Sequence, residues 1–578
     1  MSLVLVANLG INAQQPTFPL PPGQTSSTAK KELSPADQLL QKMSSSRKNP
    51  SQYAGLMAEL LNKYPYFSRN EDSLFLGSTF RNSSPEETKT ILLKLAAETE
   101  QIPAALRGIL FSEVSSVWAT KKLYQESAEL SQKATGLLTE ANYLEYRQKR
   151  YEVNNAEQLK KDPNYKITAL DSERVKKDFK GKKVSLYNTL GRSLWETGQF
   201  EQSEKAYRES FAANESKDSA LGIAKTSEKK GNKDEALKFG TTAALTGMLQ
   251  PAEMDYFYTL YAAKNNGKTD GVEKYLDAEY AKTYRNPVKN TKYVKTASRG
   301  NRVVLAEFFT GAGCHPCVGY DEAFEKIRED YSNKDVSLLV YHADIPINDP
   351  MSNYSEKSRE NYYGINYAPR VFIDGNDFIE GEGGIYFSVP NETETGRTQR
   401  VYNTLNVELK KRLETVAEAD IKLKANRKGQ NASINVSAAN LKNVSDDVTL
   451  HVALVENETT YSGENGFRFQ ILVVRSLAGD ADKRVFGFKV TPANKNNFTF
   501  NFDVDDIIKR NLAYYDTSVS ERREELKKKY AGMENSPIQP DYKYRRPQID
   551  SNRLSVIAFL QDNKTKKILQ SVTVNLAK

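Results

Sequence analysis

The spacing of apolar residues divides the chain into three parts. From Leu33 to about residue 285, apolar side chains recur every three or four positions, which predicts amphipathic helices. From residue 302, two continuous apolar runs, "RVVLAEFFT" and "DVSLLVYHAD", flank a helical stretch and predict a strand–helix–strand unit. After residue 416 the period becomes two, which indicates antiparallel strands. We therefore expect a multidomain protein with an α-helical region, an α/β domain and an all-β sandwich of about seven or eight strands.

The helical region contains an internal repeat. Gly198 and Gly231 stand 33 residues apart, and Ser203 and Ala236 repeat with the same offset. The stretch "SLYNTLGRSLWETGQFEQSEKAYRESFAANESK" resembles a tetratricopeptide repeat, a helix pair whose stacks usually present a concave face to a protein or peptide. A third, weaker pair follows over residues 254–285. We predict a helical domain over 31–180 and tetratricopeptide-like repeats over 181–290, with a nonrepeating helical bundle as the alternative.

The first 30 residues are set aside as a leader and flexible tether. Residues 3–13 are apolar and end in a small residue, and a stretch rich in Pro, Ser and Thr follows. This resembles the last part of a secretory signal peptide with cleavage after Ala13. The alternative is a disordered or strand-forming tail. The first reading predicts an extracytoplasmic protein that is periplasmic, envelope-associated or secreted.

Composition excludes several classes of protein. The net charge of +8 comes from 82 basic and 74 acidic residues that are interspersed, so we expect no nucleic-acid partner. The sequence contains no apolar stretch of about 18 residues, which predicts no membrane-spanning segment. Two cysteines in 578 residues do not make a disulfide framework. The pair, Cys314 and Cys317, is therefore suspected of chemistry.

The two cysteines straddle the predicted start of a helix. The first sulfur lies where free backbone N–H groups and the helix dipole stabilise a thiolate, and the second lies one turn into the helix. Cys314 is therefore the predicted nucleophile, and Cys317 the resolving thiol, of thiol–disulfide exchange. The imidazolium of His315 would favour the Cys314 thiolate. No cofactor is expected.

Residues 295–412 resemble the thioredoxin superfamily, through "VVLAEFF", "CHPC" and "INYAPRVFIDGNDFIEGEGG". The resemblance implies a cis peptide bond before Pro369, and substrate contacts from Tyr367, Ala368 and Pro369. The buried acid that shuttles a proton in many members corresponds to Glu307. Glu307 precedes Cys314 by seven residues instead of the customary six, so a general-base role and a structural role in the strand both stay open.

The sequence departs from the family pattern in two further places. Gly313 stands where thioredoxins usually carry Trp, and the loop is one residue longer. "CHPC" combines Pro316, as in reducing members, with a histidine, as in oxidising ones. The reduction potential should fall between those extremes, and the direction of electron flow stays open.

Within the β-rich region over 416–578, the tract "YSGENGFRFQILVVRSLAGD" and the terminal "LSVIAFLQDNKTKKILQSVTV" resemble a sandwich that follows thioredoxin-like domains in a family of bacterial envelope proteins. A charged, helical and proline-interrupted insertion over about 506–549 predicts a surface arm.

We therefore expect a secreted or periplasmic thiol–disulfide oxidoreductase. Its partners would be proteins with disulfides or thiols, a redox partner protein and a peptide or protein ligand of the repeats. One alternative is a noncatalytic scaffold on a thioredoxin-like platform. Another is a metallochaperone that uses the cysteines with His315 or His342, although no second ligand pair at regular spacing is present and we expect no metal. His451, inside a predicted strand, is a weaker candidate ligand.

Overall fold

The computed structural model describes residues 33–74, 76–289, 292–345, 347–378, 393–442, 444–491, 496–529 and 549–576. The predicted leader and tether lie outside these residues, as do part of the stretch after Pro369 and much of the predicted arm. The chain forms two compact units, residues 1–243 and 244–578. None of the helices in the described ranges is long and apolar enough to cross a membrane.

The first unit is helical, as predicted. Its helices are α1 (Pro35–Ser45), α2 (Pro50–Lys63), α3 (Asn70–Ser73), α4 (Leu76–Thr79), α5 (Pro85–Glu98), α6 (Ala104–Thr120), α7 (Tyr124–Leu137), α8 (Glu140–Lys161), α9 (Ser172–Glu196), α10 (Phe200–Ala213), α11 (Lys217–Lys229) and α12 (Lys233–Leu245). Ser34 and Ser84 each cap a helix that begins with proline, and their side chains accept a backbone N–H of the first turn.

The predicted repeat positions form two helix pairs, α9–α10 and α11–α12. Gly198 and Gly231 make the turns in left-handed conformations that favour glycine. The ring of Tyr207 lies against Gly191 and Gly222, and a side chain at either glycine would meet it. The third predicted pair is present as α13 (Pro251–Lys264) and α14 (Val272–Thr283). This pair lies within the second unit, residues 244–578.

The second unit continues with β1 (Val304–Thr310), α15 (Val318–Asp330), β2 (Val336–His342), α16 (Tyr354–Tyr363), β3 (Arg370–Ile373), β4 (Asn376–Asp377), α17 (Glu394–Leu413), β5 (Asp420–Lys428), β6 (Asn431–Ala439), β7 (Val448–Thr460), β8 (Phe469–Leu477), β9 (Gly479–Asp480), β10 (Val485–Phe486), β11 (Phe488–Val490), β12 (Asn496–Asp503), α18 (Val504–Lys529), β13 (Leu554–Asp562) and β14 (Ile568–Asn575). The predicted strand–helix–strand unit is β1–α15–β2. Both strands are buried along their whole length, as expected from the apolar runs.

One mixed sheet runs across the predicted domain boundary at residues 412–416. In the described chain its order is β14-β13-β7-β8-β2-β1-β3-β4, with β11 beside β7. Parallel strands β1 and β2 join the β-rich region where Val340 of β2 pairs with Val473 of β8. Strands β5, β6 and β12 form a separate small sheet. The region over 416–578 is therefore β-rich, and its strand pairing does not confirm the self-contained sandwich that we predicted.

Three cores separate the layers of this unit. Ala306 and Phe308 of β1 face α15 and α17, in the core that contains both cysteines. Leu305 and Phe309, on the opposite face of β1, pack against residues of β7, β8, β13 and β14. A third core fills the space between the small sheet and the outer side of β7 and β13. The side chains of β1 therefore alternate between two different hydrophobic cores.

Candidate functional site

The two cysteines form a disulfide at the start of α15. A short 3-10 turn over His315–Cys317 leads directly into the helix, and the two Cα atoms are 5.3 Å apart. His315 and Pro316 are exposed on this turn. Cys317 is 0% exposed and Cys314 only 3%. The predicted placement at the helix start is present, but nothing in the sequence indicated that the first sulfur is covered.

The connection between β7 and β8 lies against the loop that leads into Cys314. Asn465 donates its backbone N–H to the carbonyl of Ala312 at 3.0 Å and its side-chain amide to the carbonyl of Gly311 at 3.4 Å. Gly463 lies so close to Ala312 that a side chain there would collide with it. A Cβ built on Gly313 would lie 2.9 Å from Oε2 of Glu464 and 2.7 Å from Ile347. Gly463 is therefore needed for the close approach, whereas a larger residue at position 313 would first have to move the side chains of Glu464 and Ile347.

The peptide bond between Ala368 and Pro369 is cis, as the resemblance implied. Arg370 pairs with Phe309 in antiparallel register, which places Pro369 beside the end of β1, where the loop to Cys314 begins. Ala368 packs against the same core as the two sulfurs. The hydroxyl of Tyr367 accepts a hydrogen bond from Arg370 at 2.5 Å. The structure thus brings the three predicted substrate-contact residues to the same end of the sheet as the cysteine turn.

Glu307 lies on the other face of β1. Arg359 of α16 donates to its two carboxylate oxygens at 2.7 and 2.9 Å, and the hydroxyls of Tyr363 and Tyr341 donate to it at 2.7 and 3.2 Å. Burial and this carboxylate raise the pKa values of Tyr341 and Tyr363 well above their usual range. Since Ala306 and Phe308 face the cysteines, Glu307 faces away from them. The geometry favours the structural role over the general-base role.

A cluster of buried polar groups lies behind the cysteine turn instead. Thr310 donates to Oδ1 of Asp321 at 3.0 Å, and the backbone N–H of Ala312 donates to Oδ2 of Asp349 at 2.6 Å. Nδ1 of His342 lies 3.0 Å from the same oxygen of Asp349. In the part of the chain that the structure describes, Oδ2 of Asp321 and Nε2 of His342 have no hydrogen-bond partner. Four residues separate Cys317 from Asp321, so both lie on one face of the helix that holds the cysteine pair.

Two acids of this neighbourhood have perturbed pKa values. Burial raises the pKa of Asp321 well above its usual range. Burial and the negative charge of Asp349 raise the pKa of Glu464 to about 7. Sequence reasoning missed both residues. The spacing of Cys317 and Asp321 was a usable signal, whereas no local pattern connects Glu464 to a turn 150 positions earlier.

The predicted alternative of a metal site has its histidines in separate places. His342 is held by Asp349, and His451 stacks on Phe559 in the core on the opposite face of the sheet. Burial and the charge of Arg359 lower the pKa of His451 well below its usual range. Over the described ranges, no group of three His, Cys, Asp or Glu side chains is arranged to hold a metal ion.

Comparisons with known proteins add no assignment. No protein-family model matches the chain, and no curated protein matches it. Among solved structures, the crystal structure of BtubC (BKLC) from P. vanneervenii is similar at 10% sequence identity and a TM-score of 0.26, over 46% of this chain and 99% of that chain. A likeness of this extent carries no argument about fold or function.

Proposed function

We propose that the protein is a thiol–disulfide oxidoreductase that acts on protein disulfides through Cys314 and Cys317. The observation that carries the proposal is the position of the pair. The two cysteines of the chain are bonded to each other at the N-terminus of α15, at the same sheet end as the cis bond before Pro369. A structural disulfide needs neither the helix terminus nor this loop.

The reaction is an exchange in two steps. In the reduced protein, the thiolate of Cys314 attacks one sulfur of a substrate disulfide, and the other substrate sulfur leaves as a thiolate that takes up a proton. Cys317 then loses its proton, attacks the sulfur of Cys314 and expels the second substrate thiol. Two electrons have passed to the substrate, and the protein holds its own disulfide. A thiol-containing partner protein restores the dithiol, and the same steps in reverse oxidise a substrate.

The surroundings of the pair support this chemistry. Backbone N–H groups at the start of α15 favour negative charge on the first sulfur, and the exposed imidazole of His315 follows it directly in the chain. An extended substrate segment can pair with the backbone at Ala368, beside the cysteine turn. The buried carboxyl of Asp321, four positions after Cys317 on the same helix, is a site for the proton that Cys317 releases.

The remaining parts have proposed roles that follow from the sequence. Tetratricopeptide-like pairs α9–α10 and α11–α12 would bind a peptide or protein partner. The small sheet with the outer strands of the large one would act as a sandwich for recognition or attachment. We assign the protein to an extracytoplasmic compartment, where a redox-active disulfide persists.

A noncatalytic scaffold is the second candidate, and the burial of Cys314 is the observation that favours it. Reduction of a disulfide in an unstructured peptide by dithiothreitol distinguishes the two. An oxidoreductase accelerates the reaction, Cys314→Ser abolishes the acceleration, and Cys317→Ser accumulates a mixed disulfide that is visible by intact mass. Wild-type protein that leaves the rate at that of dithiothreitol alone would contradict the enzyme and favour the scaffold.

A further inference from the structure

The segment Ser462–Gly466, here called the cover, belongs to the β-rich region and lies against residues 311–313, which lead into Cys314. Its contact with the cysteine turn is backbone on backbone, through the two donors of Asn465 and the approach of Gly463 to Ala312. Polar contacts of this kind are specific in position but small in energy, about 1 kcal/mol for each hydrogen bond. The cover is therefore positioned closely and held weakly at this contact.

The base of the cover is held more firmly than its tip. Arg468 donates to the hydroxyl of Ser462 at 2.6 Å and binds Asp277 and Glu273 of α14 at 2.6 and 2.8 Å. The carbonyl of Gly463 also lies against Gly247, where no side chain would fit. Movement of the tip thus takes place about a base that stays attached to α14.

Thiol exchange requires that an attacking sulfur reach Cys314, and the closed structure does not leave space for it. A sulfur that attacks Cys314 must come into bonding distance, and a protein thiol brings its polypeptide chain with it. Cys314 is 3% exposed, which leaves no room for a chain. A short stretch of backbone, at Asn465, now occupies the space beside Gly311 and Ala312. If it moves away, the carbonyls of Gly311 and Ala312 must accept hydrogen bonds from the substrate or from water.

We propose that the cover determines the substrate specificity of this site, because a protein substrate reaches Cys314 only by displacing Ser462–Gly466 and laying an extended cysteine-containing segment in its place. The inference rests on the proposed function and names its substrate class as flexible, extended polypeptide. Folded surfaces that present a cysteine without such a segment are excluded while the cover is in place.

Glu464 makes displacement of the cover pH-dependent. The charged groups around Glu464 are Asp349, from the loop after β2, and Arg468, at the base of the cover. His342, the last residue of β2, contacts Asp349, and residues 311–313 carry no charge. The carboxyl holds its proton up to about pH 7 when closed and ionises near its ordinary value of 4.5 when exposed. Opening therefore releases a proton between these pH values, so it becomes more favourable as the pH rises through this window and then levels off.

The test measures how fast thiols attack the oxidised full-length protein. The probes are glutathione and an unstructured 20-residue peptide with one cysteine, and the mixed disulfide on Cys314 is quenched in acid and quantified by mass. Gly463→Ala adds a methyl group that collides with Ala312 and pushes the cover away. We expect it to accelerate the peptide about tenfold and glutathione less. Gly136→Ala, at a helical glycine with nothing within 4 Å, is the matched control and should change neither rate.

Two further variants keep the test decisive if Gly463→Ala does not fold. Asn465→Ala removes the side-chain bond to Gly311 and should accelerate the peptide in the same direction. For Glu464→Gln, the ratio of wild-type to variant peptide rates should rise from pH 5 to pH 8, since thiol ionisation cancels in the ratio. Unchanged rates for Gly463→Ala or Asn465→Ala, with a flat ratio for Glu464→Gln, overturn the proposal. Failure of the proposed function is separate, because it shows as absent reduction of the unstructured peptide disulfide whatever these rates are.

Discussion

Arg359→Met removes the buried cation that neutralises Glu307. Glu307 is 0% exposed and Arg359 is 2% exposed, and their charges meet in the core between the two halves of the large sheet. The variant leaves the carboxylate with two tyrosine hydroxyls and also removes the bond from Arg359 to Gln561 at 2.8 Å. Breaking one side of a buried pair costs about 3–5 kcal/mol. The opening equilibrium of β1 should rise between about a hundredfold and several thousandfold.

Hydrogen exchange followed by mass spectrometry measures this opening directly. Peptides that cover 303–310 and 336–342 should lose protection by the same factor. Both tryptophans, Trp118 and Trp195, belong to residues 1–243, so tryptophan fluorescence in urea reports the first unit and should be unchanged. The double variant Glu307→Gln/Arg359→Met buries no uncompensated charge and should recover most of the loss.

The same variants test the assignment of Glu307. A loss below about 1 kcal/mol for Arg359→Met would show that the pair does not stabilise this core, and would refute the reasoning. We also expect Glu307→Gln to leave the pH profile of thiol exchange unchanged, because the carboxylate faces away from the sulfurs. A shifted profile would restore the general-base role.

Three other predictions address stability. Asp321→Asn keeps the acceptor for Thr310 but cannot ionise. Because the pKa of Asp321 is raised in the folded state, the stability of the wild-type protein falls as the pH rises above about 4. The urea midpoint of the variant relative to that of the wild type should therefore increase from pH 4 to pH 8, and a constant difference would contradict the burial argument. Gly222→Ala places a methyl group against the ring of Tyr207 and should destabilise the first unit by about 1–3 kcal/mol, measured by urea unfolding with tryptophan fluorescence. The control Gly136→Ala should be neutral or stabilising. Equal effects of the two variants would mean that the ring can move aside. Ser84→Ala removes the cap of α5 and should cost about 1 kcal/mol in the same assay, and no change would show that the cap is replaced by water.

Local patterns in the sequence predict the elements better than their partners. The apolar runs predict β1 and β2, since this signal depends only on neighbours in sequence. A period of two indicates a strand but does not say which edge it pairs with, so the junction of β2 with β8 was not foreseen.

The candidate site shows the same division. Cys314, Cys317 and Pro369 belong to motifs, and the structure brings them to one sheet end. Glu307 was identified as an acid in a strand, but its orientation depends on Arg359, which lies 52 residues away. Glu464 and Gly463 reach the cysteine turn only through tertiary folding of the β-rich region, and no spacing rule predicts a contact of that kind.

The reduction potential of the Cys314–Cys317 pair tests the central claim most directly. The full-length protein is equilibrated in glutathione buffers and in dithiothreitol buffers, and the fraction of dithiol is measured by alkylation and intact mass. An oxidoreductase predicts one two-electron transition between about −120 and −270 mV. A pair that stays oxidised to below about −300 mV would be a structural disulfide and would contradict the proposed function.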